Sequence, residues 1–181
     1  MNKKLFFLLF VIMLFLPISV RASEYDIENY YIDATVQNNG DLSVKETFIM
    51  NGSYRGYERI IKYANNTSSF NPGLSSYQGS NLNNGSNIVV NKVGAIDIPN
   101  TYDFSIINNN VLNFEKTDSA EKGDSGVYTQ SNIASGVDML IYNPSSKNRA
   151  FYVEYTINNI AVKWNDIGEL NWTMFSDEQK E

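Results

Sequence analysis

From residue 29 onward, apolar and polar positions along this chain alternate with a period of two, the pattern of a strand with one buried and one wet face. Tyr30, Ile32, Ala34 and Val36 alternate with Tyr31, Asp33, Thr35 and Gln37, and Leu42, Val44, Glu46 and Phe48 alternate with Ser43, Lys45 and Thr47. Between the two runs, Asn38-Asn39-Gly40-Asp41 supplies residues that tolerate positive φ, so together they predict a hairpin. Its irregularity is Glu46, a carboxylate on the side of Leu42, Val44 and Phe48 that needs a partner if that side faces the core.

Residues 55–62 break the period, with Tyr57, Ile60 and Ile61 spaced for one side of a short helical turn or an irregular crossing. Residues 65–87 are rich in Asn, Ser and Gly and hold Pro72; such a stretch buries too little apolar surface to offset the entropy of ordering it and predicts a long loop. Residues 88–93 predict a strand, and residues 102–107 with 111–114 a second hairpin around Asn108-Asn109-Asn110. Residues 116–125 are charged and turn-like, and residues 137–142 form an apolar run closed by Asn143-Pro144 that predicts a buried strand. Phe151, Val153, Tyr155 and Ile157 alternate with Tyr152, Glu154 and Thr156, and residues 160–164 predict a further strand. About eight short strands, turn signals between them and no long helical period predict an all-β fold, an antiparallel β-sandwich of immunoglobulin-like architecture.

Residues 1–22 have the pattern of a signal-peptide helix: Lys3 and Lys4, an unbroken apolar run over residues 5–16, and the small-residue cleavage signal of Val20-Arg21-Ala22. The run is shorter than the roughly 18 apolar residues of a membrane-spanning helix, so cleavage is expected ahead of retention as an uncleaved anchor. Residues 23–181 are then one extracytoplasmic domain of about 160 residues with a single core. Lys3, Lys4 and Arg21 leave with the leader while all 20 acidic residues stay, so the formal charge of −6 becomes more negative. Nucleic acid and anionic headgroups are disfavoured as partners, because phosphate binding draws on Lys and Arg.

The absence of His and Cys excludes Ser-His-Asp and Cys-His nucleophile systems, thiolate zinc sites and the His-Glu-x-x-His helix from within this chain. No motif for a cofactor or a metal stands out. Glu46, Glu154, Asp166 and Glu169 are the acids eligible for a carboxylate-based glycosidase, but no spacing singles out a pair. Gly40 and Glu46 match two positions of a helix-loop-helix calcium site, where Thr35 and Gln37 stand in place of the required acids, so a turn is the better reading. Asp118, Glu121 and Asp124 likewise suit a solvated turn better than calcium. Glycosylation patterns at Asn51, Asn66, Asn84 and Asn171 are what the abundance of asparagine produces by chance. The 12 Tyr, 10 Phe and 2 Trp suit cross-strand packing ahead of a sugar-binding row.

The order of short motifs Asn39-Gly40-Asp41-Leu42, Val44, Glu46, Gly56, Tyr57, Arg59, and then Tyr155, Val162, Asp166, Glu169-Leu170 and Trp172 resembles the N-terminal domain of a family of predicted bacterial membrane proteins, domain of unknown function 2207. The resemblance implies a signal peptide, an extracytoplasmic β-rich domain and membrane association through a downstream helix, with no established activity. Two departures stand out: Ile60-Ile61-Lys62 replaces a proline that often follows the arginine, and relatives continue past the position of Glu181, so a fragment of a longer protein or a secreted offshoot is expected. The resemblance also gives Glu46 a partner. A partly buried ion pair between Glu46 and Arg59 is expected, the alternative being a bulge that turns Glu46 outward. Trp172 is expected to anchor the core and Asp166 to cap a turn before Glu169-Leu170. The function expected is that of a non-catalytic sensor, scaffold or interaction module with a protein or cell-envelope partner, with a carbohydrate-binding or adhesive module and a glycosidase as rivals.

Overall fold

The computed structural model describes residues 26–51, 54–64, 85–97, 111–121, 123–143, 149–163, 168–170, 172 and 174. In chain order the strands are β1 (Asp26–Val36), β2 (Leu42–Asn51), β3 (Gly56–Lys62), β4 (Asn87–Asp97), β5 (Leu112–Asn113), β6 (Glu115–Lys116), β7 (Val127–Ile133), β8 (Gly136–Tyr142), β9 (Arg149–Asn158), β10 (Ala161–Lys163) and β11 (Gly168–Leu170). The described residues are all-β. One sheet has the order β1-β2-β9-β4-β5, a second β3-β8-β7-β6, and β10-β11 form a small two-stranded sheet. Pairing is antiparallel except between β6 and β7, which run parallel.

Register explains the core. Ile32, Glu46 and Val153 stand in one row across β1, β2 and β9, and Val44 faces Tyr155 in the next. With a period of two, Val44, Glu46 and Phe48 therefore share a face with Phe151, Val153, Tyr155 and Ile157. On the second sheet, Tyr57, Arg59 and Ile61 stand opposite Ile141, Met139 and Val137. These two faces form one buried cluster, with Leu42, Val44, Phe48, Val153, Tyr155 and Ile157 from the first sheet and Ile61, Val137, Met139 and Ile141 from the second. An antiparallel sandwich is thus the architecture. Phe48 lies at the centre of an aromatic group, 4.5 Å from Tyr57, 5.3 Å from Phe151 and 5.8 Å from Tyr30 between ring centroids.

The outer face of the larger sheet carries alternating charge. Asp33 faces Lys45, Lys45 faces Glu154, and Glu154 faces Lys92. Opposite charges directly across a ladder contribute about 0.2–1 kcal/mol each, so this row favours the observed register over a slip by one or two residues.

Of residues 55–62, expected as a helical turn or irregular crossing, Gly56–Lys62 are strand β3. The charge at Arg59 hides the alternation: Tyr57, Arg59 and Ile61 point inward, and Ile60 faces Asp138 on the other side. Strand β7 gave no apolar period because Gln130 and Asn132 occupy positions opposite Met139 and Val137. It forms a hairpin with β8 through Ala134-Ser135, where Ser135 adopts a φ of 61°. Residues 112–113 pair with β4, while residues 102–107, the other arm of the hairpin expected there, lie outside the described residues, as do residues 1–22 and residues 65–84 of the expected loop.

Candidate functional site

The larger sheet places Glu46 between Ile32 and Val153, two apolar neighbours that leave its carboxylate to find a partner across the core. Arg59 comes from β3 in the facing sheet. Its Nε donates to Glu46 Oε2 at 2.8 Å and its Nη2 to Oε1 at 2.5 Å, a two-pronged arrangement with side-chain exposures of 1 % and 0 %. Forked guanidinium–carboxylate contacts hold both planes in one orientation, which a lysine at this position would not do. The Tyr155 hydroxyl donates to the same Oε1, and Arg59 Nη1 donates to the Ile60 carbonyl at 2.9 Å. Arg59 Nη2 also reaches the Met174 carbonyl at 3.5 Å.

The cluster shifts its members in consistent directions. Burial works against the charge on Arg59, but the hydrogen bonds and charge of Glu46 outweigh it and hold the guanidinium above its already high pKa. Burial, with Glu46 adding to it, pushes the hydroxyls of Tyr155 and Tyr30 well above the ordinary tyrosine range. Neither phenol is a proton source at physiological pH. The arrangement is a buried, hydrogen-bonded tie between sheets.

Trp172 is half-buried against the core, its ring edge-on to Tyr155 at 6.3 Å, and its indole Nε1 donates to the Lys62 carbonyl at 3.2 Å. Glu169 stands opposite Val162 in the β10-β11 pair, and Asp166 lies outside the described residues. Of the eligible acids, Glu46 and Glu154 do not converge. Glu46 faces the core, whereas Glu154, one residue out of phase, is on the outer face and accepts from the Tyr152 hydroxyl at 2.8 Å. Asp124 accepts from the Glu121 amide at 2.8 Å and its own amide donates back to the Glu121 carbonyl at 3.0 Å, a self-contained turn. Among the described residues, no group of three His, Cys, Asp or Glu is placed to hold a metal ion. Tyr31 is the exposed aromatic among them, so the rings described do not make a solvent-facing row.

A second polar constellation is built on Asn39-Gly40-Asp41, a turn in the sequence pattern and part of the motif order that carries the family resemblance. Asp41 accepts from the Asn159 amide at 2.8 Å through Oδ1 and from Asn158 Nδ2 at 3.0 Å through Oδ2, tying the β1-β2 turn to the β9-β10 turn. Asn39 Nδ2 donates to the same Oδ2 at 2.7 Å, and the Ala161 amide donates to the Gly40 carbonyl at 2.9 Å. Gly40 has a φ of +86°, and a Cβ there would stand 2.7 Å from the Ala161 carbonyl oxygen, so glycine is required twice over. In the sequence, Asn39-Gly40-Asp41 and Asn158-Asn159 are turn-prone residue types, and nothing in local pattern indicates that they meet.

The Asn159 amide, with Asn39 and Asn158, holds the Asp41 carboxyl below the usual carboxylate range. A depressed folded pKa gives stability that is present above the unfolded value and lost as pH falls through the folded one. The melting temperature of the wild type is therefore expected to exceed that of Asp41→Asn at neutral pH, and the gap to close on acidification below the ordinary Asp range. A gap independent of pH by differential scanning calorimetry would show that the Asp41 charge contributes nothing.

Fold and site define a class: an all-β domain in which two sheets are tied through the core by a charge pair and two turns are tied at one end by an aspartate. The chain belongs to the family described as predicted membrane protein (DUF2207) N-terminal domain, whose model matches residues 26–181. No curated protein and no solved structure matches the chain significantly. Among the described residues, no helix is long and apolar enough to cross a membrane.

Proposed function

We propose that this domain is a non-catalytic extracytoplasmic module of a membrane-associated protein, acting as a sensor, scaffold or interaction module toward a protein or cell-envelope partner. The observation that carries this reading is the commitment of Glu46, Arg59 and Tyr155 to one another in the core. Glu46, Arg59 and Tyr155 satisfy each other between the sheets, at exposures that leave no room for a substrate. General acid–base work needs a group within reach of a bound substrate. Glu46 has no such access, and Glu154 is separated from it by the thickness of a sheet. Membership in a family described as predicted membrane proteins supports association with the membrane, and the leader pattern of residues 1–22 supports export.

The test is topological. With the full chain expressed in bacterial cells and detected by antibody, protease added outside the cytoplasmic membrane is expected to degrade the domain while a cytosolic marker stays intact. Protection of the domain until the cells are lysed would overturn the extracytoplasmic assignment.

A further inference from the structure

Strand β1 closes one end of the larger sheet and, among the described residues, is bonded to β2 on one side only. Its register with β2 fixes which of its backbone groups are left over. The Gln37 amide donates to the Asp41 carbonyl at the turn, and hydrogen-bonded pairs recur every second residue from there, at Thr35 with Ser43 and at Asp33 with Lys45. The N–H and C=O groups of Ile32, Ala34 and Val36 therefore point away from β2, along the outer edge. Exposure agrees with this. Asp33, Ala34, Thr35 and Val36 are exposed in succession, so water reaches both faces of the strand there, whereas Val44 and Leu42, opposite Ala34 and Val36 on β2, are buried. Edges of this kind are usually guarded by a proline, a lysine or a bulge. The register shift between Ile27 and Asn29 guards the start of β1, but residues 32–36 hold none of the three.

We propose that residues 32–36 are a docking edge for an extended segment of a partner protein, an antiparallel strand with β-branched side chains opposite Ile32, Ala34 and Val36 and a Lys or Arg opposite Asp33. The charge row on the outer face selects this partner. Lys92, Glu154, Lys45 and Asp33 alternate in sign across four strands, and the row stops at Asp33 on the edge. A cation in the next place continues it. Because Asp33 spends its backbone groups on β2, the incoming residue meets it in a non-hydrogen-bonded pair, the closer of the two kinds, where opposite charges attract most. A second copy of β1 does not supply that cation: residues 26–36 carry Asp26, Glu28 and Asp33 with no Lys or Arg, in a chain of net charge −6. Main-chain hydrogen bonds to the edge give affinity, and the alternate side chains give selectivity. Val36, 48 % exposed, also loses water when a strand is added beside it. The docking edge deepens the reading of this domain as an interaction module and rests on it; its test uses purified protein, so failure here leaves the protease result on export standing by itself.

The probe is a capped peptide, Val-Thr-Val-Lys-Val, matched antiparallel to residues 32–36, with Glu in place of Lys in its control. Each is titrated into the isotope-labelled full chain and followed by amide shifts in nuclear magnetic resonance. Saturable shifts at the amides of Ile32, Ala34 and Val36 are expected, with the Lys peptide bound about fivefold or more tighter than the Glu peptide. Asp33→Lys is expected to reverse that order, which net charge alone does not do, because the variant is still an acidic chain. Ala34→Pro removes an N–H on the outer edge, where strands tolerate proline, and is expected to keep a cooperative melt while binding the Lys peptide about tenfold or more weakly. If that variant does not fold, N-methylation of the peptide valine opposite Ala34 decides on the wild-type chain: a similar loss supports the docking edge, and unchanged affinity overturns it. Equal affinity for the two peptides, or no saturation at these amides, would also overturn it. Shifts at the same amides that grow with protein concentration in the absence of peptide would place a second copy on the edge and overturn the partner proposed.

Discussion

Arg59→Met is expected to destabilise the domain by about 3–5 kcal/mol, read as a fall in the midpoint of urea unfolding at constant slope. The loss does not measure the strength of the ion pair. Removing the guanidinium takes away its two hydrogen bonds to Glu46 and leaves a carboxylate at 0 % exposure between Ile32 and Val153. The Tyr155 hydroxyl still donates to Glu46, but neutral hydrogen bonds do not offset the desolvation of a charge. Arg59→Lys is expected to lie between wild type and Arg59→Met, because an ammonium keeps the charge and loses the fork. A midpoint for Arg59→Met within about 0.5 kcal/mol of wild type would mean that Glu46 finds water in the folded state.

Phe48→Ala is expected to cost a similar amount, about 3–5 kcal/mol, for a different reason. Phe48 is fully buried and is the ring that Tyr30, Tyr57 and Phe151 share, so its removal leaves a cavity bordered by three large side chains from three strands. Stacked strands on a β-framework collapse little into such a void, and the lost dispersion contacts are not recovered. The two variants separate in what rescues them. A cavity at position 48 is repaired only by volume, whereas the charge stranded by Arg59→Met is repaired by removing Glu46. Loss of less than about 1 kcal/mol in thermal or urea unfolding of Phe48→Ala would contradict its central place in the core.

The hairpin β1-β2 and the central strand β9 were legible in the chain because both show alternation across nearly every residue. The reason is physical: β2 and β9 lie inside the larger sheet with one face on the core, where period two is most strictly imposed. Strand β3 was hidden by the residue that matters most to the site. An inward arginine breaks the apolar period, and only the facing glutamate on another sheet explains it. The polar side of β7 concealed a strand for the same kind of reason. Glu46 itself was conspicuous by its phase among Leu42, Val44 and Phe48, but its pairing with Arg59 came from resemblance to a family, since periodicity along one strand says nothing about the opposite sheet. Tyr155 as a third member, the carbonyl of Met174 and the turn-to-turn tie by Asp41 depend on contacts more than 100 residues apart in sequence, beyond the reach of local pattern.

The buried Glu46–Arg59 pair as a mutual requirement between the two sheets is most directly tested by a double-mutant cycle of Glu46→Met, Arg59→Met and both together, measured by urea unfolding. Each single change strands a charge, while the double change leaves two apolar side chains of suitable length facing each other. The double variant is expected to be more stable than either single one, so the coupling exceeds the Arg59→Met loss itself, about 3 kcal/mol or more. Additivity of the two losses within about 0.5 kcal/mol would contradict the pairing.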